Sequence, residues 1–164
     1  MHIEYLNIYT VKHGTKYSSA HVNKILESCK EHLSYKFTFF CLTENPKGLD
    51  KDINVIPLPK NNTLKKWWNK MYLFDDNVVR QQGENLFFDL DVIIQKDIDD
   101  LANFDPEDCL VFGQTHWHDL DKMKKETEHI PHRYTELNSS ILRWNDNLDK
   151  ENISLYFKTH IDKI

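Results

Sequence analysis

The chain has 164 residues, of which 40% are hydrophobic, 12% aromatic and 29% charged, the make-up of one ordinary soluble domain and too little for two. With 21 Lys and Arg against 26 Asp and Glu the formal charge is -5, so no global basic field gathers nucleic acid. No apolar run approaches the roughly 20 residues that cross a bilayer, and Met1-His2-Ile3-Glu4 lacks the basic then apolar head of a signal peptide, so a cytoplasmic location is expected.

Ile3 to Val11 is rich in β-branched and aromatic residues and reads as a first strand, ended by the turn pair His13-Gly14. Ser18 can cap a helix in which Val22, Ile25, Leu26, Cys29 and Leu33 recur at helical spacing, one stripe facing a sheet. Lys36 to Leu42 and Ile53 to Leu58 read as the next strands, the latter closed by Pro57 and Pro59. An aromatic helix is expected from Leu64 to Phe74. Leu86 to Ile94 is a nearly continuous apolar run, and Leu110 to Gly113 and Ser140 to Trp144 give two further strands. Asp146 to Ile164 reads as one amphipathic helix with Leu148, Ile153, Leu155, Phe157 and Ile161 as its apolar residues. Strands alternating with helices predict an α/β sandwich with a mainly parallel central sheet. Cys29, Cys41 and Cys109 are widely spaced among apolar neighbours and are expected to be reduced core thiols.

Chemistry concentrates in Phe87-Phe88-Asp89-Leu90-Asp91-Val92-Ile93-Ile94, where two acids interrupt a run that otherwise belongs in a core. A lone carboxylate costs several kcal/mol to bury, roughly, and a close pair also repels itself, so the pair needs compensation: a shared cation, or one acid capping the next turn with the other solvated at the strand end. In an extended segment positions i and i+2 share a side, which turns Asp89 and Asp91 toward one ion. Hard oxygen ligands suit Mn²⁺ or Mg²⁺, ions that leave positions open for water and substrate phosphates.

The pair resembles the Asp-x-Asp motif of glycosyltransferases with the GT-A fold, most closely the family 8-like and related small bacterial and viral enzymes. The resemblance extends to Asn7-Ile8-Tyr9-Thr10-Val11-Lys12-His13-Gly14, Tyr17-Ser18-Ser19, Phe39-Phe40-Cys41-Leu42-Thr43-Glu44-Asn45-Pro46 and Pro57-Leu58-Pro59. It continues in Trp67-Trp68-Asn69-Lys70-Met71-Tyr72-Leu73-Phe74 and Asn138-Ser139-Ser140-Ile141-Leu142-Arg143-Trp144, which are in family order. It implies an α/β/α sandwich and a metal-dependent transfer of sugar from a UDP- or GDP-linked donor to a glycan or other acceptor. Asp89 and Asp91 would hold the Mn²⁺ or Mg²⁺, Leu90 would border the nucleotide between them, and Lys70 would add positive charge at the diphosphate. Thr10, Val11, Lys12 and His13 would meet the base and ribose, with Tyr17 stacking close by. Thr43 and Glu44 are weaker candidates for that pocket. Asn138, Ser139 and Ser140 would line the donor-sugar side, where small hydroxyl and amide groups suit sugar hydroxyls.

Between the acid pair and that last segment stand His116, Trp117, His118, His129, His132 and Arg133. Their spacing fits no common zinc site, and Trp117 is a candidate to stack on an acceptor sugar. The family usually continues past Asn-Ser-Ser with a Gly-Asp-Gln-like motif and a distal His ligand. This sequence has no Gly-Asp-Gln, and His160 is the available substitute, so residues 1–164 are expected to form one domain short on the acceptor side. Two rival readings are a non-catalytic nucleotide-sugar or glycan binding module and a haloacid-dehalogenase-like phosphatase. The latter normally carries its acid pair at the head of the domain.

Overall fold

The computed structural model describes residues 5–114, 119, 121, 125 and 137–160. Its centre is a six-stranded sheet of β1 (Tyr5–Lys12), β2 (Lys36–Thr43), β3 (Ile53–Pro57), β4 (Glu84–Phe88), β5 (Val111–Gln114) and β6 (Leu137–Trp144). The strand order is β3-β2-β1-β4-β6-β5. β3, β2, β1 and β4 run parallel, as expected; β6 and β5 are added antiparallel, which the pattern did not foretell.

Both faces of the sheet are covered, which is why β1 buries every residue from Leu6 to Thr10 instead of alternating. Alternate side chains serve opposite cores. Leu6 and Ile8 pack with Val22, Ile25, Leu26 and Cys29 of α1 (Ser19–His32), realising the expected helical stripe, and Ala102 of α2 (Asp99–Asn103) joins them. Tyr9 faces the other way and stacks between Phe40 and Trp144, ring centroids 5.2 and 5.7 Å away. That face is closed by Leu73 and Phe74 of a 3-10 helix (Lys66–Phe74) and by α3 (Lys150–His160), whose Phe157 packs on Trp68 at 5.2 Å. The result is the expected α/β/α sandwich.

Several boundaries differ from expectation for physical reasons. The aromatic helix is 3-10 in form, and at its start buried Asn69 donates its amide to the carbonyls of Leu64 (3.2 Å) and Lys66 (2.9 Å). β4 stops at Phe88, since Asp89 to Val92 closes a turn through the Val92 N–H to Asp89 carbonyl bond (3.1 Å); Ile93 is left exposed. β6 begins at Leu137, so Asn138-Ser139-Ser140 lies within a strand rather than before one. The terminal helix starts only at Lys150, after a turn closed by the Leu148 N–H on the Asn145 carbonyl (3.2 Å), and Leu155 is exposed instead of joining the apolar face. Cys29 and Cys41 are buried as expected, but Cys109 is exposed in a loop.

Chain order decides where a ligand can sit. β2 and β3 are laid down on one side of β1, and β4 returns to its other side, so the winding reverses between β1 and β4. A crevice opens at such a point beyond the carboxyl ends of the two strands. The residues there are His13, after β1, and Asp89, after β4.

Candidate active site

A cleft of about 510 Å³ occupies that crevice. The strand exits supply Val11, His13, Asp89, Leu90 and Asp91; Tyr17 comes from the approach to α1, Lys70 from the 3-10 helix and Ser139 from β6. Seven of the residues expected to act on donor or metal are thus together: Asp89, Asp91, Lys70, Val11, His13, Tyr17 and Leu90. Ser139 joins them, whereas Asn138 and Ser140 do not line the cleft; the Ser140 carbonyl instead accepts the Asp89 N–H at 2.8 Å.

The side chains of two other expected residues are turned away. Thr10 is fully buried, and Lys12 is 5% exposed with its ammonium on the Asn45 carbonyl at 3.0 Å. Strand alternation explains both: they sit on the α1 side of β1, while Val11 and His13 have the opposite parity. Trp117 and the histidines from His116 to His132 lie outside the described residues. His160 donates its Nδ1–H locally to the Tyr156 carbonyl (2.8 Å) and does not line the cleft.

The turn at Asp89 changes how the two acids are presented. Lys70 Nζ is 2.8 Å from Asp89 Oδ2 and also donates to the Ser139 carbonyl (3.0 Å) and hydroxyl (3.2 Å), with Phe87 beneath it at 5.1 Å. Lys70 is therefore not a solvated lysine of an amphipathic helix: it is 8% exposed and ties the 3-10 helix to β4 and β6. Asp91 Oδ2 accepts the Tyr17 hydroxyl at 3.1 Å. Each carboxylate thus has one oxygen oriented by a neighbour, and its Oδ1 makes no bond within the described residues.

Lys16 and Lys66, which no sequence motif singles out, also line the cleft, as does Trp67 of the aromatic helix. Lys16 Nζ lies 4.6 Å above the Tyr17 ring, and its pKa is raised, first by hydrogen bonding to Tyr17 and further by Asp91 and Asp89. Lys66 adopts φ 53°, a left-handed conformation uncommon outside glycine, with its ammonium 5.5 Å from the Trp67 ring, which is 61% exposed. Three ammonium groups and two carboxylates leave this corner of an acidic chain locally positive. An exposed Trp at a helix start and flanking lysines were the available signal.

The donor set fits a hard divalent ion. The acid pair offers only carboxylate oxygen, and among the described residues no group of three or more His, Cys, Asp or Glu converges on a metal position. Two carboxylate ligands would leave most of an octahedral shell to water and phosphate, the arrangement Mg²⁺ and Mn²⁺ favour with phosphorylated substrates.

No family model and no curated protein sequence matches the chain. Solved structures do match. Galactosyltransferase LgtC, crystallised with donor and acceptor sugar analogs, aligns over 96% of this chain and 66% of its own at 15% identity and TM-score 0.63. Glycosyltransferase GlyE from Streptococcus pneumoniae TIGR4 aligns over 96% and 38% at 13% identity and TM-score 0.65. The bifunctional glycosyltransferase WbbM aligns over 92% and 33% at 9% identity and TM-score 0.61. The fold is that of the GT-A glycosyltransferases. The chain spans less than two thirds of the length of these structures.

Proposed function

We propose that the protein is a metal-dependent glycosyltransferase that takes a sugar from a nucleoside diphosphate and passes it to a glycan or other acceptor. The observation that carries this is the acid pair at the crevice between β1 and β4, each carboxylate oriented by one neighbour and ringed by lysines. A single domain spanning residues 1–164 provides the donor half of such a site.

In this reading Asp89 and Asp91 hold Mn²⁺ or Mg²⁺, which supplies Lewis-acid stabilisation of the charge that grows on a departing diphosphate. Lys70 fixes Asp89 and keeps a proton-rich ammonium facing the same charge. Tyr17 fixes Asp91 through its hydroxyl and offers its ring to the nucleoside. Val11, His13 and Leu90 border the nucleoside. Ser139 presents a hydroxyl on the donor-sugar side, with Asn138 and Ser140 holding its strand, and Trp67 and Trp117 are candidates for stacking on a sugar ring. Thr10 and Lys12 support the strand exit from behind.

Thermal shift with UDP- and GDP-linked sugars, with and without Mn²⁺, tests this. Ligand at 100-fold its dissociation constant adds about 2.7 kcal/mol, which raises the melting temperature of a domain this size by roughly 5–10 °C. The rise is expected only with metal, and Asp89→Ala or Asp91→Ala should abolish it. Metal-independent binding would count against the proposal, and release of free sugar or its transfer separates an enzyme from a binding module.

A further inference from the structure

Tyr17, whose hydroxyl fixes Asp91, is itself fixed by a side chain outside the cleft. It stands immediately before Ser18, the N-cap of α1. His21, at the third position of the helix, occupies the place where a capping box usually carries Glu or Gln. Its Nδ1 accepts the Ser18 N–H at 3.2 Å and lies 3.1 Å from the Ser18 hydroxyl. The imidazole also meets the Tyr17 ring edge-on, with centroids 5.2 Å apart and planes at 69°. One ring thus holds both the Tyr17–Ser18 peptide and the Tyr17 side chain, and the Tyr17 hydroxyl reaches Asp91 Oδ2 at 3.1 Å.

We propose that His21 is a positioning residue for the acid pair: its neutral imidazole holds Tyr17 at the head of α1, and Tyr17 holds Asp91. The inference rests on the reading of Asp89 and Asp91 as metal ligands. Accepting the Ser18 N–H requires a bare Nδ1, so the proton of the neutral ring sits on Nε2. An imidazolium has no acceptor nitrogen and loses the cap. It also places positive charge at the positive end of the helix dipole, in a first turn that holds no acid to offset it. The charged groups around the Tyr17–His21 pair are Lys16, over the Tyr17 ring at 4.6 Å, Asp91 on the Tyr17 hydroxyl, and Lys24, one turn on in α1 and paired with Glu27 at 2.9 Å. Both lysines oppose a further positive charge on the ring. A Gln in this place would cap the helix at any pH, whereas histidine makes the cap, and with it the hold on Tyr17, conditional on deprotonation.

Calorimetric titration of the full chain in Mn²⁺ with UDP and GDP tests this, using whichever nucleotide wild type binds more tightly. His21 is exposed, so its substitution disturbs no core. At pH 8, His21→Ala should weaken binding about threefold, within what a lost cap is worth and short of the loss expected for the Tyr17 hydroxyl itself. His21→Gln, which restores the capping box, should bind within about 1.5-fold of wild type. In a Tyr17→Ala background His21→Ala should add no loss, because its route to Asp91 is gone. Between pH 8 and pH 5.5 wild type should lose about threefold more affinity than His21→Gln. His13 and the nucleotide's phosphate also take up protons over this range, and the Gln variant, which keeps both, is the reference. An unchanged His21→Ala affinity, a His21→Gln variant as weak as His21→Ala, an additive loss in the Tyr17→Ala background, or parallel pH profiles each overturns the assignment and leaves the donor reading intact. Failure of wild type to bind either nucleotide in Mn²⁺ overturns both.

Discussion

Lys70 Nζ and Asp89 Oδ2 lie 2.8 Å apart, joining the 3-10 helix to the end of β4, with the Lys70 side chain 9% and the Asp89 side chain 28% exposed. The ammonium has three oxygen partners in all, so its removal strands a carboxylate, a carbonyl and a hydroxyl at once. Lys70→Met keeps the stem that packs on Phe87 and deletes the charge. It should cost about 1.5–3 kcal/mol in urea unfolding, the range for lost hydrogen bonds to charged groups. Asp89→Asn leaves the lysine its Ser139 partners and should cost less. Equal losses would show that the pair, and not the ammonium's wider role, holds the helix.

Tyr17 and Asp91 separate two functions of one side chain. The 3.1 Å bond is exposed, so Tyr17→Phe should change stability by less than about 1 kcal/mol. If the hydroxyl orients Asp91 for the metal, nucleotide affinity in Mn²⁺ should fall about fivefold, the equivalent of one such bond. Tyr17→Ala removes the ring as well and should weaken binding further. Titration of wild type and both variants with and without Mn²⁺ checks this, and an unchanged Tyr17→Phe affinity would remove the hydroxyl from the site.

Much of this was legible from residue patterns. The α1 stripe and the strand cores could be read because burial on one or two faces imposes a period on apolar residues. Asp89 and Asp91 stood out because charge inside an apolar run demands compensation. What compensates them was only partly legible. Lys70 stands in a recognisable motif, but its contact with Ser139 joins residues 69 apart and has no local signal. β4 ends before its apolar run does because Val92 and Ile94 pack from a turn against the α1-side core. Thr10 and Lys12 lie next to cleft residues along the chain, and alternation across the sheet turns their side chains to its other face. Lys66 carries a positive φ that no non-glycine residue type announces.

Arg143 tests the frame that carries the site. It is 1% exposed in β6, donates to the carbonyls of Ala102 (3.1 Å), Asn85 (3.3 Å) and Trp144 (2.8 Å), and pairs with Glu84. One guanidinium thus ties β6 to β4 and α2. Breaking a fully buried pair costs about 3–5 kcal/mol; Glu84 is partly exposed, so the loss here falls toward the lower end of that range, with three buried carbonyls also losing their donor. Arg143→Ala should therefore unfold at much lower urea. Arg143→Lys should recover little, since an ammonium cannot reproduce a planar fork with several fixed donors.

The thiols supply a test of burial with a pH sign. Cys29 and Cys41 are buried, and desolvation pushes each from 9.0 up to about 12. Cys109 is exposed, and hydrogen bonding to Asp108 (Sγ to Oδ1, 3.4 Å), followed by that residue's charge, raises its pKa. Ellman's reagent at pH 7 should therefore modify one thiol per folded chain, slowly because little thiolate is present, and three in urea. Above pH 9 the unfolded chain releases thiol protons that the folded chain retains. The contribution of Cys29 and Cys41 to stability is therefore full below about pH 9 and is lost as pH rises toward 12. Burial raises Tyr9 as well, with Asp146 adding to it, so the tyrosine steepens the same alkaline decline. Urea midpoints measured from pH 8 to 11 should fall, and a Cys29→Ala/Cys41→Ala variant should fall less steeply. An identical slope in the variant would mean that the thiols do not ionise differently in the two states.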